Sequence, residues 1–154
     1  MSNELDGMDA LRANFKQLNG AEAQKIFKSA AGAGAKVIRL EVQRGAQRID
    51  DPATRENIAK NIAQRAKGKR YLPANAVGVR VGIKGGAKAQ QGGKKAATTN
   101  PGGQTYHWRF VEFGTKKMPA QPFMRPAMAA TTSRAQAAFV EQAKKRLDAA
   151  LRKK

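Results

Sequence analysis

One histidine, a pair of aspartates and several glycine–lysine runs are the groups in this 154-residue chain whose types could do chemistry. His107 lies in QTYHWRFVEFG with no aspartate beside it in sequence, so no nucleophile–base–orienter set can be traced around it. Asp50-Asp51 precedes Pro52, the residue order of a helix boundary, and the remaining acids are too scattered to pair for acid–base work. GAGAK and GVRVG lack the GK[ST] ending of a phosphate-binding loop. KGGAKAQQGGKK lacks both that ending and a strand–loop–helix setting. With no cysteine and one histidine, thiolate and multi-histidine metal sites are excluded. The residues thus predict neither an enzyme nor a cofactor.

What the chain has in abundance is positive charge. Thirty Lys and Arg against eleven Asp and Glu give a formal charge of +19. The acids cluster early, at Glu4, Asp6 and Asp9, whereas none falls between Glu56 and Glu112. Such a balance attracts polyanions by field steering and counterion release. It equally suits a solvated, aggregation-resistant surface. No apolar run approaches the ~20 residues that span a bilayer. The acidic N-terminus does not read as a signal peptide, so synthesis and retention in a cytoplasm are expected, short of export within an assembly.

The elements that would position these residues follow from periodicity. Leu5, Met8, Leu11, Phe15 and Leu18 recur at three- and four-residue steps and predict a helix over 4–18, ended by Asn19-Gly20. A longer helix is predicted from about 21 to 49; the small residues of SAAGAGAKV in its middle allow a close helix contact. Asp51, with Pro52 behind it, predicts the cap of a third helix over 52–66. Val77, Val79, Val81 and Ile83 alternate, which predicts a strand over about 76–84, with Gly78 and Gly82 marking close packing or a bend. Residues 85–103 hold no acid and no large apolar side chain, and predict a long mobile loop. The alternation of Tyr106, Trp108 and Phe110 predicts a second strand over 104–113. A final helix from about 123 to 151 carries Phe139, Ala143, Leu147, Ala150 and Leu151 on one stripe, and cations at its C-terminal end. The expectation is a single α+β domain over 1–154: a small antiparallel sheet, built as a hairpin with a long flexible loop, packed against N-terminal helices and a long C-terminal helix. A two-stranded hairpin is marginal alone, so the helices or neighbouring subunits must support it.

Two binding classes compete. The aromatic strand, the lysine loop and the net charge suit non-specific nucleic-acid binding, although no zinc finger, ribonucleoprotein motif or helix-turn-helix appears. The second class comes from YHWRFVEFGTKKMPAQPFMRPA, residues 106–127. This block resembles a signature of a tail-component family of lambda-like long-tailed bacteriophages, in which "EFGT" is followed by "P-x-P-F-(L/M)-R-P-A" and a last helix. Glu112, Phe113, Gly114, Thr115, Pro119, Pro122, Phe123, Arg125, Pro126 and Ala127 fall on that pattern, and the flanking helices fit in order and length.

The resemblance implies a virion structural protein of the neck, assembled in the host cytoplasm. It would be a tail-completion or head–tail joining protein, or else a tail-terminating ring. It implies a homo-oligomeric ring, a hexamer, around the DNA channel. The implied partners are head-closure or connector, tail-terminator and tail-tube proteins and the genomic DNA, with no membrane and no catalysis. A ring needs a head-to-tail interface that closes. Glu112, Phe113, Gly114, Pro119, Pro122, Phe123, Met124, Arg125 and Pro126 are its candidate residues. Gly114 can reverse the chain with a positive φ, and the prolines stiffen the link. Phe123 and Met124 can plug the protein's own core or a neighbour's pocket. Arg125 can bridge to a carboxylate, with Glu112 the first candidate. Lys84, Lys88, Lys94 and Lys95 are candidates for contact with DNA or an acidic ring.

Overall fold

Small residues on two long helices decide how the chain packs. The computed structural model describes residues 20–50, 53, 56–73, 76–84 and 100–152. Their elements are α1 (Gly20–Gln47), α2 (Ile58–Asn61), β1 (Ile62–Ala66), a 3-10 turn at Lys69–Tyr71, β2 (Val79–Ile83), α3 (Trp108–Phe113) and α4 (Met124–Leu151). Ile26, Ala30, Gly34, Val42 and Ala46 are buried along α1, and Ala127, Thr131, Ala135, Ala143 and Leu147 along α4. Steps of four and eight hold each set on one stripe. The two stripes meet antiparallel: Gly34 lies against Ala135, Gly45 against Phe123, and Ile26 shares a cluster with Leu147. A Cβ built on Gly34 would come 2.9 Å from the Ala135 carbonyl oxygen, so the backbone approach needs glycine there. Phe27 and Phe139 stack beside this contact, with centroids 6.3 Å apart.

The main core lies at the other end of the helix pair. Val42, Ala46, Ile58, Ala59, Ile62, Phe123 and Ala127 are buried together there, flanked by Val81, Ile83, Trp108, Val111 and Met124. β1 and β2 pair antiparallel from Ile62↔Ile83 to Ala66↔Val79. A Cβ on Gly78 would meet Leu72 at 3.0 Å, which is the expected close packing, whereas Gly82 has open space beside it.

The α+β class is as expected, and β2 falls within the strand expected over 76–84, but its partner is a different segment. The helix expected over 52–66 is a single turn, Ile58–Asn61, followed by β1. That turn starts where the Asp50 carboxylate accepts from the N–H groups of Ile58 (3.0 Å) and Ala59 (3.2 Å), while Asn57 Oδ1 accepts from Lys60 N (2.8 Å). The expected cap at Asp51-Pro52 lies outside the described residues, as does the helix expected over 4–18. IAQRA carries no apolar alternation; it is a strand because the β2 backbone pairs with it.

The strand expected over 104–113 is a correction. Residues 106–107 turn and Trp108–Phe113 is helix. Helical spacing turns Trp108 and Val111 onto the core and buries Glu112 beside them, whereas a strand would carry Trp108 and Val111 to opposite faces. The antiparallel pair is therefore formed by 62–66 and 79–83. Residues 85–99 of the expected loop lie outside the described residues, and residues 100–103 are pinned.

Candidate assembly site at the α3–α4 corner

The corner begins with α3, whose last turn carries Glu112 inward. Its side chain is 1% exposed. Oε2 accepts from the N–H groups of Phe123 (2.7 Å) and Met124 (2.9 Å). Oε1 accepts from Arg125 N (3.2 Å) and Arg125 Nε (3.2 Å), and Arg125 Nη2 donates to the Glu112 carbonyl (2.9 Å). The first N–H groups of a helix have no partner inside it. Phe123, at the cap position of α4, offers no side-chain acceptor, so Glu112 caps α4 from another element. Burial alone raises the Glu112 carboxyl. The N–H groups of Met124, Phe123 and Arg125 and the Arg125 guanidinium outweigh it and hold the group below the ordinary carboxylate range.

Gly114 ends α3 at φ 73°, ψ 177°. A Cβ there would stand 2.8 Å from Ala120 N and 3.0 Å from the Met118 oxygen. Thr115 closes the next turn: its N–H donates to the Met118 carbonyl (2.9 Å), and its hydroxyl accepts from Lys117 N and Met118 N. Gln121 N then donates to the Val111 carbonyl (2.8 Å), tying the link back onto α3. Pro119 and Pro122 are exposed on this link. Pro126 sits in the first turn of α4, where a missing N–H costs no helix bond. Phe123 is 3% exposed in the chain's own core and Met124 packs against that core. Arg125 lies over the Phe113 ring, 5.2 Å from guanidinium carbon to centroid.

Sequence reasoning missed the Asn61 cluster. Asn61 is fully buried, and its Nδ2 donates to the Gly103 carbonyl (2.9 Å) and Thr105 Oγ1 (2.8 Å). Its Oδ1 accepts from Gly102 N (2.8 Å), and Asn57 N donates to the Gly102 carbonyl (2.8 Å). A Cβ on Gly102 would collide with the Asn57 carbonyl. Those bonds hold the chain that leads into α3. An asparagine within the mostly aliphatic run IAKNIA was the available signal, but its partners lie more than forty residues away. His107, which has no acid beside it in sequence, has Nδ1 3.2 Å from Glu56 Oε2 at the surface. Lys84 is half-buried and its N–H donates to the Asn61 carbonyl (2.8 Å); Lys88, Lys94 and Lys95 lie outside the described residues. Among the described residues, no three His, Cys, Asp or Glu gather as a metal site, and no helix is long and apolar enough to cross a membrane.

The chain belongs to the family described as "Bacteriophage HK97-gp10, putative tail-component", whose family model matches residues 9–114. It is thus a bacteriophage tail-component protein, a part of the virion. The match ends at Gly114, so the proline link and α4 extend beyond it. Neither the curated proteins nor the solved structures include a match.

Proposed function

We propose that the protein is a neck protein that forms a closed ring around the DNA channel and joins the tail to the head connector, as a tail-completion or head–tail joining protein without catalytic activity. Membership of the tail-component family is the observation that carries this reading. The corner supports it physically. Glu112, Gly114 and the three prolines hold a rigid bend whose outer side, with Phe113, Lys116, Lys117 and Pro119, is exposed. A rigid exposed surface loses little entropy when a neighbour docks. Phe123 serves the protein's own core, so the intersubunit role falls to Phe113, Arg125 and the link rather than to Phe123.

Light scattering and electron microscopy of the purified protein, alone and with tail-tube and head-closure proteins, test the ring. Closed rings, a hexamer foremost, are expected. A monomer at every concentration and in every mixture overturns the reading. A tail-terminating ring is the alternative placement, and it predicts that the ring binds the end of the tail tube without the connector. The charge of +19 supports contact between the lysines of 84–95 and DNA in the channel. Duplex binding that weakens steeply with salt is expected, and no binding at low salt removes that contact.

A further inference from the structure

The two-stranded sheet has one covered face and one that is open among the described residues. Ile62, Gln64, Val81 and Ile83 alternate onto the side that meets the core and α1. The opposite side carries Ala63 and Arg65 on β1, with Gly82 and Arg80 across from them on β2. In that register Arg65 stands directly opposite Arg80, and both are exposed. Lys67, also exposed, continues the row: its N–H donates to the Gly78 carbonyl (2.7 Å), which extends the ladder by one more pair. Like charges directly opposite each other destabilise a sheet. Among the described residues the ion pairs of Glu41, Glu56 and Glu112 go to other partners, and the sequence holds no acid from 57 to 111. The fold gains nothing from two opposed guanidiniums, whereas an anion laid across them turns the repulsion into attraction.

The surroundings of the arginines select the anion. A protein partner buries an apolar centre inside a polar rim. Here the neighbours of the arginine pair on the same face are Ala63 and Gly82, and a Cβ on Gly82 would meet nothing within 4 Å. A backbone without side chains lets a phosphate chain approach closely. Arg70 and Tyr71, the latter 67% exposed, follow on the turn after β1 and add a cation and a hydroxyl donor. Guanidiniums take phosphate oxygens in bidentate fashion, and contacts of that kind position a duplex without reading its sequence.

We propose that the open face of the sheet, centred on the Arg65–Arg80 pair, binds the phosphate backbone of duplex DNA without sequence preference. This deepens the DNA contact inferred above and rests on it, but moves its centre from the lysines of 84–95 to the sheet. Three double variants each remove two charges: Arg65→Gln with Arg80→Gln on the sheet, Lys88→Gln with Lys94→Gln, and Lys144→Gln with Lys145→Gln, which are exposed on α4. Binding to a short mixed-sequence duplex is titrated over a salt series, with light scattering of each protein alongside. The sheet variant is expected to lower the slope of log K against log salt by about 2, at ~0.9 per phosphate contact, while the α4 variant leaves it unchanged. Its melting temperature should hold or rise, since the opposed charges are gone. A fall in melting temperature assigns the arginines to the fold and overturns the proposal. Equal losses in the sheet and α4 variants make binding a property of net charge and overturn it as well. A loss confined to the Lys88, Lys94 variant returns the contact to those lysines, which overturns the sheet and leaves the DNA contact standing. If the arginines bind polyglutamate and not the duplex, the face belongs to an acidic protein and the proposal falls. A parent protein that ignores the duplex at low salt removes the sheet contact and the DNA contact together, while closed rings seen by scattering leave the neck reading in place.

Discussion

Replacing Glu112 by glutamine keeps the volume of the side chain and removes its charge. In the native corner one carboxylate satisfies three N–H groups at the start of α4 and one guanidinium N–H. The amide has one oxygen, so at least one helix N–H faces an NH2 donor and is left unpaired, at about 1–3 kcal/mol. Loss of negative charge at the helix N-terminus adds about 0.3–1 kcal/mol. The Arg125 ion pair adds little, because its side chain is 61% exposed. The expected loss is about 1–4 kcal/mol, or a fall in melting temperature of roughly 3–15 °C for a chain of this size. Because the folded carboxyl lies below its unfolded value, its contribution is complete above the unfolded pKa of about 4.3 and disappears as pH falls through the folded pKa. The gap between parent and Glu112→Gln should therefore be widest near neutral pH and close on acidification. Urea unfolding of both proteins from neutral pH downwards measures it. A gap below about 0.5 kcal/mol at neutral pH, the range of ordinary surface changes, would refute the capping role. So would a gap that stays constant into acid.

Three further outcomes follow from the packing. Gly34→Ala should destabilise by about 1–3 kcal/mol, since its Cβ meets the Ala135 oxygen at 2.9 Å, whereas Gly32→Ala, with open space beside it, should stabilise α1 by about 0.5–1 kcal/mol; paired thermal melts check the opposite signs. Asn61→Ala leaves the buried Gly102 N–H and Thr105 hydroxyl without this partner and should cost about 2–4 kcal/mol; hydrogen exchange should show lost protection at Gly102 first. Gly114→Ala forces a side chain into a positive φ and against Ala120 N, and should cost about 1–3 kcal/mol, read from chemical unfolding.

How far the amino acids alone reach depends on the range over which each signal acts. The two long helices were evident because 28 residues repeat a pattern many times, and the glycines in the middle of α1 announced a close contact. β2 was evident from four alternating aliphatics, and the tail-component family from the EFGT and proline signature. Short elements were not evident. WRFVEF has the composition of a strand, and six residues do not separate a period of two from one of 3.6. IAQRA has no pattern of its own and becomes β1 through the backbone partners that β2 supplies.

At the corner the division is sharper. The sequence by itself determined that a glycine reversal and a proline-stiffened link precede the last helix, because those residues restrict their own backbone. It named Glu112 and Arg125 as a charge pair. Only the tertiary structure decided that Glu112 is chiefly a cap for α4, since three of its four side-chain bonds go to backbone N–H groups eleven to thirteen residues ahead. It also sent Phe123 inward and Phe110 and Phe113 outward. Which side of a short helix faces inward depends on where the core built by distant elements lies, and no spacing within six residues encodes that position.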